Sequence, residues 1–138
     1  MKKLFILTFI LAISSCQEEN DAPTGSINDG FDTSKATLIK SGSFTGVGHS
    51  VSGIAAVYDS SGKKIVLLEP FMSQNGPDLK VYLSKDQNAS EYISLGKMKS
   101  TSGKQSYEVP DNVNVADYSY VLIWCQQFSV LFGKAQLL

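Results

Sequence analysis

Apolar and polar positions follow strand-like patterns through most of residues 35–138. No stretch of ten or more positions repeats its apolar residues every 3.6. The pattern predicts strands at 36–44, 52–58, 64–69, 79–83, 92–98, 106–109, 120–126 and 129–137. Turn formers punctuate them: Asp59-Ser60-Ser61-Gly62, Asn75-Gly76-Pro77-Asp78, Ser100-Thr101-Ser102-Gly103 and Pro110-Asp111-Asn112. Short strands at such intervals predict an all-β domain, an antiparallel β-sandwich of about eight strands, with a small closed β-barrel as the alternative. Little helix is expected beyond one turn over 113–117.

Within strands, parity assigns faces. In Leu79-Lys80-Val81-Tyr82-Leu83 the leucines and valine face a core, and Lys80 and Tyr82 point outward. Tyr120-Val121-Leu122-Ile123-Trp124-Cys125 is apolar on both faces, which predicts a central strand covered on both sides, or one with a covered face and a partner surface. Cys125 shares a face with Val121 and Ile123. The apolar stretch from Phe128 to Leu138 is placed to pair with it as a tight hairpin through Gln126-Gln127.

The first fifteen residues follow a different rule. Lys2 and Lys3 precede an apolar run of roughly ten residues, about half of what spans a bilayer. Ile13-Ser14-Ser15-Cys16 then resembles a bacterial lipobox, which implies cleavage before Cys16 and lipidation of its thiol. An ordinary signal peptide with an incidental cysteine is the plainer alternative. The expected organisation is a signal peptide over 1–15, a lipidated Cys16 with a flexible acidic tether over 16–34, and one domain over 35–138. Residues 17–26 carry charge and turn formers without apolar periodicity, so they bury too little to offset ordering. The acidic run after Cys16 resembles the surface-export tag of some Gram-negative outer-membrane lipoproteins. A solvated spacer, with the domain in the periplasm, is equally compatible. The expected location is extracytoplasmic, anchored to the outer membrane on one face or the other.

Charge narrows the partners. Loss of Lys2 and Lys3 from twelve basic residues leaves ten against thirteen acidic, a net charge of about −3, and the chain has no arginine. Nucleic-acid binding rests on neutralising phosphates, so no nucleic-acid partner is expected. The expected contacts are the membrane, through acyl chains, and a separate protein partner.

Two side chains carry candidate chemistry. With Cys16 lipidated, Cys125 has no cysteine to pair with, and a free thiol in an oxidising compartment asks for a reason. It is either a small buried hydrophobe or a redox thiol or ligand. His49, the sole histidine, sits in Gly46-Val47-Gly48-His49-Ser50 between two predicted strands, as a loop residue or as a functional neighbour of Cys125. One histidine is too few for a blue-copper site or a structural zinc site of Cys and His ligands. No Cys-x-x-Cys-His motif occurs, which excludes a c-type haem, whereas a b-type haem on His49 with Cys125 or a methionine stays open. Asp111, Asn112, Asn114 and Asp117 lack EF-hand spacing. Phe71, Tyr82, Tyr92, Tyr107 and Tyr118 are expected mostly as core or cross-strand residues, and Met72 and Met98 as gap-fillers.

A resemblance covers nearly all of the domain. Its pieces are Gly48-His49-Ser50-Val51-Ser52-Gly53, Gly76-Pro77-Asp78-Leu79-Lys80-Val81-Tyr82-Leu83-Ser84, and Trp124-Cys125 followed by Phe128-Ser129-Val130-Leu131-Phe132-Gly133. The chain resembles the electron-transfer DM13 domain family, which is similar to the β-sandwich domains of the DOMON group. The resemblance implies a redox role for Cys125, as a naked thiol or by binding a group such as haem, with His49 near it. It leaves open whether the domain is an enzyme. Unlike the larger members, the chain is expected to have no partner cytochrome or hydroxylase domain, and so to exchange electrons with a separate protein or not at all. The other reading is a non-catalytic adhesion or ligand-binding module whose cysteine merely packs.

Overall fold

The computed structural model describes residues 21–138. Nine strands form it: β1 (Ile27–Asn28), β2 (Thr37–Gly46), β3 (Val51–Ser60), β4 (Lys63–Ser73), β5 (Leu79–Ser84), β6 (Tyr92–Lys97), β7 (Gly103–Glu108), β8 (Tyr120–Cys125) and β9 (Val130–Gln136). Single 3-10 turns occupy Thr33–Lys35 and Val115–Asp117. Hydrogen bonding orders the strands β1-β7-β4-β3-β2-β9-β8-β5-β6 in one curled mixed sheet. All pairings are antiparallel except β1 with β7. The fold is all-β, a half-barrel whose two wings face each other as in a sandwich.

One strand makes the corner. The first part of β2 pairs with β3, and Phe44, Thr45 and Gly46 pair with Ala135, Lys134 and Gly133 of β9. At the crossing, Gly42 passes so close to β9 that a Cβ there would lie 1.8 Å from the Gln136 carbonyl oxygen. Only glycine lets the backbones approach so closely.

The concave side holds one continuous core. Val57, Val66, Leu68, Val81, Leu83, Val121, Ile123 and Ala135 are fully buried there, with Phe44 and Phe71 edge-on at 5.4 Å. Leu79, Val81 and Leu83 lie inside, as their parity demands. Tyr82 is on the opposite face, as expected, yet it is buried rather than exposed. Tyr92 stacks on it at 4.1 Å and Trp124 lies 6.0 Å away, so the convex face carries an aromatic layer over Leu122. Burial, with a hydrogen bond to Tyr92 adding to it, pushes the Tyr82 phenol up to about 12. The same layer gives β8 its second covered face.

Seen from Asp21 onward, the expected tether is docked on the domain. The Asn75 side chain accepts from Ala22 N at 3.1 Å and donates to Ala22 O at 2.9 Å. Thr101 N and the Ser100 hydroxyl both donate to Pro23 O. Asp29 accepts from the Ser106 amide at 2.6 Å and hydroxyl at 2.7 Å. These contacts are polar and far apart in sequence, so hydrophobic periodicity carries no trace of them. The leader, Cys16 and residues 17–20 lie outside the described residues. Among those described, no helix is long and apolar enough to cross a membrane.

Candidate functional site

Three connections meet at one end of the half-barrel: β2–β3 with His49, β4–β5 with Asn75-Gly76-Pro77, and the β8–β9 hairpin with Phe128. With Cys125, Val130 and Phe132 they line an open, largely apolar cleft of about 370 Å³. Both candidate residues are therefore on the same cleft.

Cys125 ends β8, opposite Leu79 of β5 and Val130 of β9. The side-chain alternation that buries Val121 and Ile123 also turns its sulfur inward, and it is 1% exposed. It is a free cysteine. Its Sγ donates to the Pro77 carbonyl at 2.9 Å, and the next residue, Gln126, donates its amide to Asp78 O at 3.0 Å. The β4–β5 loop is thus pinned to the end of β8. Asp78 takes a left-handed backbone (φ 55°), and its carboxylate pairs with Lys80 Nζ at 2.7 Å in a mostly buried contact.

His49 is placed by its turn. A Cβ on Gly46 would lie 2.1 Å from His49 O, and Gly48 takes φ 66°, so both glycines are required for this path. Val47 N donates to Phe132 O at 2.8 Å, which ties the turn to β9. The imidazole then lies flat on the Phe132 ring, centroids 3.6 Å apart and planes within 6°. Its Nδ1 is buried and has no hydrogen-bond partner. Phe132 in turn requires Gly76, where a Cβ would fall 2.6 Å from its Cζ. Beyond these groups the rim is apolar and open, with Phe128 64% exposed and Val130 38%.

Among the described residues no Asp, Glu or Lys lines the cleft. It suits a neutral, apolar surface better than an anion.

A family model described as "Electron transfer DM13" matches residues 43–137. The chain belongs to the DM13 electron-transfer family. No curated protein and no solved structure matches it. The DM13 match contains every residue of the cleft and excludes β1 and the docked segment before it.

Of the residues that line the DM13 cleft, His49 and Cys125 are candidates from sequence alone. Phe132, Gly76, Pro77, Phe128 and Val130 are not, although each stands in a run that carries the family resemblance. The clue was there in Gly76-Pro77 and in the alternation of Val130 and Phe132 along β9, whereas Phe128 lies in the turn before that strand. The remaining aromatic candidates divide: Phe71 and Tyr107 are buried in the core, and Tyr82 and Tyr92 stack on the convex face.

The donor set does not match a bound metal or haem. Among the described residues no group of three or more His, Cys, Asp or Glu side chains is placed to hold a metal ion. A haem between His49 and Cys125 fits poorly too. The sulfur is held below the surface by Pro77, the imidazole lies flat on Phe132, and the cleft is near the lower end of the roughly 300–1,000 Å³ typical of small-molecule sites.

Proposed function

We propose that the chain is a lipid-anchored, extracytoplasmic electron-transfer module whose redox centre is the Cys125 thiol. The observation that carries this reading is the shared cleft, which places the sole histidine and a free thiol on one pocket within a domain of the DM13 family. A separate redox protein at the same membrane, carrying a disulfide, meets Cys125 at the cleft: the Cys125 thiolate attacks one sulfur of that disulfide, a mixed disulfide forms, and the partner's other sulfur leaves as a thiolate. His49, with Nδ1 unpartnered, is the base available in the cleft for the thiol proton. Because Sγ–H is engaged with Pro77, reaction requires the β4–β5 loop to release it. Anchoring is through Cys16, to the outer membrane.

The test is alkylation of the natively folded, mature protein, read by mass spectrometry, together with its visible spectrum. Reaction of Cys125 without denaturant, blocked by prior oxidation, is the expected result. A thiol inert until the protein unfolds removes the redox role.

The 1% exposure of Cys125 favours a second reading, a ligand-binding or adhesion module in which the thiol only packs. Cys125→Ala then keeps full function, whereas the redox reading requires its loss.

A further inference from the structure

We propose that the cleft end of the domain rests on the bilayer, with the apolar rim of Val47, Phe128 and Val130 seated in the lipid interface. The inference rests on the reading of Cys16 as the lipidated residue and adds an orientation to it. Two independent observations meet here. The first is how the segment at Asp21 and Ala22 is held. Asp21 forms a β-bridge with Pro77, and Ala22 is held by both polar atoms of the Asn75 side chain. Pro77 and Asn75 also line the cleft. Asp21 lies five positions after Cys16, and five fully extended steps span at most about 18 Å. An acyl chain on Cys16 therefore keeps the β4–β5 loop close to the membrane surface, while the opposite end of the half-barrel points away.

The second observation is the rim itself. Phe128 is 64% exposed at the tip of the β8–β9 hairpin, and Val47 and Val130 are both 38% exposed. An aromatic residue at a protruding tip, flanked by aliphatic ones, is the composition that partitions into the interface between headgroups and acyl chains. The orientation brings the Cys125 cleft to the lipid surface.

Depth-dependent fluorescence quenching tests this on the full lipidated protein in phosphatidylcholine and phosphatidylethanolamine vesicles carrying brominated acyl chains. Phe128→Trp reports on the rim. Asn112→Trp, exposed in the turn after β7 at the far end, is the control, and the wild-type signal from Trp124 is subtracted. The expected result is strong quenching and a blue shift for Phe128→Trp and neither for Asn112→Trp. Equal quenching of the two in vesicles that retain acylated protein overturns the orientation and leaves the anchor standing. Mass spectrometry showing Cys16 without acyl chains overturns both.

Discussion

At the scale of single residues, the cleft is a chain of close contacts: Gly76 admits Phe132, Phe132 carries His49, and Pro77 receives the Cys125 thiol. Adding one methyl at Gly76 puts carbon 2.6 Å from a buried ring that has His49 stacked on its face. Gly76→Ala is expected to destabilise the domain by about 1–3 kcal/mol, measured by urea denaturation, and to shift the His49 ring resonances. Cys125 separates packing from chemistry. Ser at this position keeps a donor for Pro77 O, whereas Ala leaves that carbonyl unpaired and opens a small void. Cys125→Ala is therefore expected to cost about 1–2 kcal/mol more than Cys125→Ser in the same denaturation experiment, while both lose any thiol redox activity. Equal stability of the two variants would show that the Pro77 contact contributes nothing. His49 and Cys125 were legible as chemistry because their types are scarce in this chain. Their meeting was not derivable from spacing, because stacking on Phe132 and pairing of β8 with β9 bring them to one cleft.

At the scale of elements, eight of the nine strands follow from alternation and turn chemistry, since each spans several residues with one apolar face. The pairing of β8 with β9 was legible for the same reason. The expected tight turn at Gln126-Gln127, however, is a four-residue connection over 126–129 with Ser129 left-handed (φ 52°), so Phe128 sits in the turn and not in the strand. β1 was not legible. It has two residues, pairs in parallel with β7 far along the chain, and is held by polar contacts. Its main clamp is Asp29. Burial alone would raise the carboxyl, but hydrogen bonds from the Ser106 hydroxyl and amide and the Phe31 amide, together with Lys99, hold it below the usual carboxylate range. A carboxyl depressed in the folded state contributes fully above its unfolded value of 3.8, and the contribution is lost as pH falls through the folded value. Asp29→Asn removes the charge and keeps an acceptor. The variant is expected to be less stable than wild type by roughly 1 kcal/mol at pH 6, with the gap closing as pH falls below 3.8 and through the folded value. Asp32, Asp59 and Asp86 are depressed as well and titrate equally in both proteins, so the difference isolates Asp29. A gap that stays constant with pH would mean that the Asp29 charge is not what holds β1.

For the whole molecule, the decisive quantity is the length of chain between anchor and fold. A tether running freely from Cys16 to residue 34 would let the domain tumble above the membrane, and no face would be preferred. Docking of residues 21–29 puts the first held residue, Asp21, five positions after Cys16, at the β4–β5 loop that is part of the candidate site. Insertion of about twenty Gly and Ser residues between Cys16 and Asp21 restores the long path. A flexible linker of about twenty-five residues has a root-mean-square span near 28 Å, beyond the reach of the native one. The rim's effective concentration at the bilayer then falls with linker length. Quenching of Phe128→Trp by brominated lipid is therefore expected to drop in the lengthened protein while acylation and vesicle retention stay unchanged. If quenching persists at full strength, the apolar rim holds the membrane by its own affinity, and the short connection serves only to bring it there.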